Sequence, residues 1–201
     1  MPPRKAAKKA AKKTARHPAH PHSAHHIRRA YEHLGRIEVL EGALAGSSFR
    51  DVTALAALAQ QQLLAGHARE AADLLRAAEH LSFAALAPHD IARAANTRVS
   101  PDLKAAIAAE FEHLLDRARQ HREEAHWNPQ NVPRNSPPNA SSLTLSALYA
   151  RILEQAQRAY AAAAYRPALE LARAAEAICH VSADNLLSLV ASDRLIQLLA
   201  S

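Results

Sequence analysis

Glycine and cysteine are scarce in this chain. Its 201 positions hold four glycines and one cysteine, Cys179. A single thiol excludes an internal disulfide and any cysteine-based zinc site. Aromatic residues make up 4%, and β-branched runs are missing, which argues against a sheet. No apolar stretch approaches the ~18 residues of a membrane span. Acid is absent from Met1 to Ala30, a segment with nine Lys or Arg. The other 16 basic residues face all 19 acidic ones, so the net charge of +6 belongs to the N-terminal segment alone. That segment lacks the apolar centre of a secretory signal. The expectation is a soluble, non-enzymatic protein of the cytoplasm, nucleoid-associated if its basic segment binds DNA, with no membrane partner.

What is present is alanine and helical periodicity. Hydrophobic residues reach 49%, much of it alanine, and small side chains bury little area each but let helices pack closely. Apolar residues recur at helical spacing at Ile27, Tyr31, Leu34, Ile37 and Leu44. A second helix ends at Gly66 and a third follows from His67, interrupted at Pro88 before a short fourth. Ser100 is a candidate N-cap, with Pro101 and Asp102 suited to the first turn. Between His126 and Ser142 the pattern stops in a stretch with four prolines and four asparagines. Three helices then follow: one from Leu143 through the alanine run to Tyr165, one with Pro167 in its first turn, and one capped by Ser182 or Asp184. The reading is all-α: a disordered tail over 1–26, a helical domain over 27–126, a linker over 127–141 and a second helical segment over 142–201.

In the tail, Lys5, Lys8, Lys9, Lys12 and Lys13 would form one cationic stripe on a helix. Their mutual repulsion weakens that helix in water, and an anionic polymer relieves it while releasing counterions. With Arg4 and Arg16 they are the candidate contacts for non-specific nucleic-acid attachment. The composition resembles the lysine/alanine-rich tails of linker histones and bacterial histone-like proteins. Next come His17, His20, His22, His25 and His26, a tract able to bind Zn, Ni or Cu weakly, with prolines that work against preformed geometry. No other cofactor is implied.

Arg76-Ala77-Ala78-Glu79 recurs 97 positions later as Arg173-Ala174-Ala175-Glu176. At that offset Arg69 meets Arg166, Ala71 meets Ala168, Asp73 meets Glu170 and Leu74 meets Leu171. Repetition of a helix pair marks helical-repeat proteins. The pattern resembles a tetratricopeptide repeat. Leu55, Leu58, Ala59, Gly66, Ala71 and Ala78 match in the first copy, and Ala156, Tyr165, Ala168 and Ala175 in the second. Ala163 stands where the turn glycine belongs, and the closing proline is missing. The resemblance implies an array of antiparallel helical hairpins that binds a protein or peptide, with no residue assignable as a ligand contact.

Two other functions compete with such a scaffold. One is a nucleoid or chromatin protein whose main task is DNA binding. The other is a ribonuclease resembling the HEPN family, resting on the Arg119…His126 spacing. Cys179 stands beside Ile178 on an apolar face and reads as core, not nucleophile.

Overall fold

A proline opens the first helix, because its fixed φ suits position N1 and its missing N–H has no partner there anyway. Helix α1 thus runs over Pro21–Glu41, six residues earlier than the apolar periodicity starts. The tail expected over 1–26 therefore overlaps a helix: His22, His25 and His26 belong to α1. The computed structural model describes residues 21–44, 46–94, 99–124 and 140–181. The lysine stripe, most of the Pro/Asn-rich linker, and the helix expected after Ser182 lie outside these residues. The described residues form six α-helices and no strand.

Helix α2 spans Gly46–Leu64 and α3 spans Ala68–Ala94. Pro88 does not interrupt α3, which continues past it as one helix. An interior proline costs ~3 kcal/mol, and α3 is packed against α1, α2 and a later helix, α6. That burial outweighs the local penalty. Helix α4, Pro101–Glu124, starts as expected: the Leu103 N–H donates to Ser100 Oγ at 3.2 Å. Helix α5 covers Ala140–Ala161 and α6 covers Tyr165–Cys179.

The break between α5 and α6 falls inside Ala161–Ala164, where no residue favours a turn. Its geometry repeats the α2–α3 turn bond for bond. At the first turn the N–H groups of Ala65, Gly66 and His67 donate to the carbonyls of Gln61, Leu63 and Gln62. At the second, Ala162, Ala163 and Ala164 donate to Arg158, Tyr160 and Ala159, each 97 positions on. Gly66 has φ +87°, and Ala163 is forced to φ +57°. A side chain in this left-handed region costs about 1 kcal/mol that glycine avoids. Ala163→Gly should therefore raise stability by about 1 kcal/mol and Gly66→Ala should lower it by a similar amount. Denaturant midpoints of the two variants check this. A Cβ at Gly66 would meet nothing within 4 Å, so its cost is backbone strain alone.

The duplication extends to α1 and α4 at an offset of 81. Ala30, His33, Leu34 and Ile37 of α1 match Phe111, Leu114, Leu115 and Ala118 of α4, the faces turned inward in each. Each half is thus three helices: α1 and α2 on α3, then α4 and α5 on α6. The halves join through α3 and α6. His80 of α3 reaches Glu170 of α6 at 2.7 Å, while Asp73, two turns earlier on α3, faces His180 just beyond α6. The two helices therefore run antiparallel and cross near Ala77 and Ala174, both fully buried. Alanine at a crossing lets the backbones approach closely. Asp51 of α2 also receives Arg151 of α5 at 2.6 Å.

Candidate functional site

The repeated Glu79 and Glu176 each anchor the outer helix of their half. Glu79 is buried and accepts from His33 Nδ1 and, at 3.1 Å, from Arg36 Nη1 of α1. Burial pushes its carboxyl up, but the bonds from His33 and Arg36 outweigh this and hold it below the usual carboxylate range. Glu176 pairs with Arg117 Nη2 of α4 at 2.5 Å. Arg36 and Arg117 are themselves 81 positions apart. His180, 3.8 Å away, and then Arg117 keep Glu176 low despite its burial. These pairs fix α1 and α4 and leave their outer faces open.

The halves differ in how they fill the space between outer helices. In the first, α1 and α2 both lie on α3 but barely touch one another. Between them runs a groove of about 480 Å³ lined chiefly by Tyr31, Leu34, Ala56, Leu63 and Leu75. Tyr31 is 62% exposed, and Leu64 at its edge is 84% exposed. Glu38 stands on the rim and forms no ion pair among the described residues. In the second half, the positions matching Ala30, Leu63 and Ala56 hold Phe111, Tyr160 and Leu153. Phe111 and Tyr160 stack face to face, centroids 4.4 Å apart and planes 1° off parallel, and Leu153 packs with them. Leu153 and Tyr160 thus stand where the first half has the smaller groove-lining residues Ala56 and Leu63.

A second recess, about 200 Å³, lies between α1, α3 and His180. It is polar and rich in arginine, and Asp73 is its acid. Burial raises the Asp73 carboxyl in spite of Arg76 and His180 nearby.

Of the residues singled out in the sequence, Arg4, Lys5, Lys8, Lys9, Lys12, Lys13, Arg16, His17 and His20 lie outside the described residues, as does His126. Arg119 instead pairs with Asp116 at 3.3 Å. His25 and His26 stand together on α1, rings 5.6 Å apart, and join no set of three metal ligands among the described residues. The set that does form is His121, Glu176 and His180, with ligand atoms within 4.8 Å of one another. Its sequence signal was Glu176 and His180 four apart on one helical face; nothing local pointed to His121. Arg117 already holds Oε1 of Glu176, so this geometry serves an ion pair. Cys179 is core: it is buried, donates to the Ala118 carbonyl, and its thiol is pushed up to about 12 by burial. At that value it is not a nucleophile at neutral pH.

No helix among the described residues is long and apolar enough to cross a membrane. No protein family, curated protein or solved structure matches this chain.

Proposed function

We propose that this protein is a non-enzymatic interaction module that receives an amphipathic helix of a protein partner in the groove between α1 and α2. One observation carries the reading: the described residues leave an apolar groove open between α1 and α2, with Tyr31 and Leu64 exposed along it and Ala56 and Leu63 in place of the larger Leu153 and Tyr160 of the other half. An apolar trough that the described residues leave open, rimmed by Glu38, which pairs with no cation among them, suits a helix with large apolar side chains on one face and a cation opposite Glu38. The paired turns and the small residues at the helix crossing support kinship with tetratricopeptide hairpins. Here, however, the two hairpins meet antiparallel through α3 and α6, so the partner surface is a single groove in one half. The basic segment from Arg4 to Arg16 adds non-specific attachment to nucleic acid.

The test copies the second half into the first. Ala56→Leu with Leu63→Tyr, two partly buried positions that line the groove, should narrow it and leave the fold intact. A displayed library of amphipathic helical peptides, with leucines at i, i+3, i+4 and i+7 and one lysine, is selected on the natural chain. Selected peptides should bind the double variant at least tenfold more weakly. Peptides that bind both proteins equally would place recognition elsewhere.

A further inference from the structure

The arginine-rich recess between α1 and α3 has a counterpart in the other half, and comparison of the two shows what the first lacks. In the second half Arg173 is neutralised twice. Its Nη1 donates to Glu170 at 3.0 Å and its Nη2 to Glu110 at 3.4 Å. The matching residues in the first half are Arg76, Asp73 and Arg29. An arginine thus replaces the second acid. Arg69, also conserved between the halves as Arg166, lines the same recess. Three guanidinium groups therefore share one aspartate, a local excess of two positive charges with the histidines neutral.

The consequence is visible at Arg76. Its Nε and Nη2 are shielded from solvent and find no acceptor among the described residues. A buried charged donor without an acceptor is costly. The nearest alternative acid, Glu176, is already taken by Arg117 at 2.5 Å. His26 and His180 stand at the same recess as further donors.

We infer that this recess, built by Arg29, Arg69 and Arg76 with His26 and His180, binds a phosphate monoester in the place of the acid that Glu110 supplies to the other half. The match is one of charge and shape. A monoester dianion carries close to two negative charges and three acceptor oxygens, against an excess of two positive charges and three guanidinium forks. A phosphodiester offers one charge and fewer free oxygens. The volume of about 200 Å³ admits a phosphate and the first atoms of its ester group. Whether that group is a free small phosphate or the terminal phosphate of a longer molecule leaves the recognition chemistry unchanged.

The experiment is thermal unfolding of the full chain at pH 7.5 and constant ionic strength, with inorganic phosphate, with a nucleoside 5′-monophosphate, or with chloride alone. Phosphate and the monophosphate should raise Tm and chloride should not. Calorimetric titration with each gives the affinity and separates the two sources: a free-phosphate site prefers the ion, a terminal-phosphate site the ester. The decisive variant is Arg29→Glu, which restores the acid found in the other half. It should melt higher than the natural chain without ligand, because Arg76 gains an acceptor, and its phosphate affinity should fall at least tenfold. Arg76→Gln should show the same loss of affinity. The basic tail is intact in both variants, so an unchanged phosphate response would assign binding to the tail and overturn the proposal. A natural chain that does not respond to either phosphate would overturn it equally.

Discussion

Duplex DNA bound by the full chain should be released over a narrow salt range, losing about four orders of magnitude in affinity between 50 and 200 mM. Seven cations, Arg4, Lys5, Lys8, Lys9, Lys12, Lys13 and Arg16, stand in one acid-free segment. If all seven neutralise phosphates, log K should fall against log salt with a slope of roughly −6, at ~0.9 per contact. Changing the five lysines to glutamine in the full chain leaves two arginines and should flatten the slope to about −2. The prediction separates the two non-enzymatic readings. A scaffold keeps its peptide partner after this change, whereas a protein whose main task is DNA binding loses its activity. A slope that stays near zero in the natural chain would remove nucleic acid as a partner of the tail. A steep slope unchanged by the five substitutions would move the contact surface to the arginines of the helical body.

Ala174→Leu should be the most damaging single substitution at the junction of the halves. Ala174 and Ala77 are both fully buried where α3 and α6 cross. Three more heavy atoms there have no cavity to enter, so the backbones must separate or the side chain must leave its rotamer, at a cost of about 1–3 kcal/mol or more. For a chain of this size each kcal/mol is worth about 2–4 °C in Tm. A fall of at least several degrees is expected for Ala174→Leu and for Ala77→Leu. Ala106→Leu, on the exposed side of α4, should stay within about 0.5 kcal/mol of the natural chain. Equal melting of all three variants would mean that the halves do not meet at these alanines.

The hairpins and the groove were not equally readable. The all-α class follows from periodicity and from what is scarce, and the Ser100–Pro101 start of α4 was written in two residues. The α2–α3 turn was marked by Gly66. The α5–α6 turn has no local marker, and it was legible only because Ala163 falls 97 positions after Gly66. The start of α1 was missed because the proline and histidines before Ile27 carry no apolar period. Pro88 misled in the other direction, since a local penalty was weighed without the packing that α1, α2 and α6 supply.

The candidate sites were less readable still. Neither the groove nor the recess is a motif. Each is a difference between two similar halves: Leu153 and Tyr160 against Ala56 and Leu63, Glu110 against Arg29. Those differences mean nothing until the offsets of 97 for the inner hairpins and 81 for the outer helices are both known, and the second emerges only from which faces are buried. Helix content, the repeat and the charged tail depend on neighbours close in the chain or on composition, so the sequence alone determined them. Which surfaces stay open, which cation lacks its acid, and where two alanines bring helices together depend on residues tens of positions apart. Those contacts exist only once α3 and α6 have packed, and only the tertiary structure decided them.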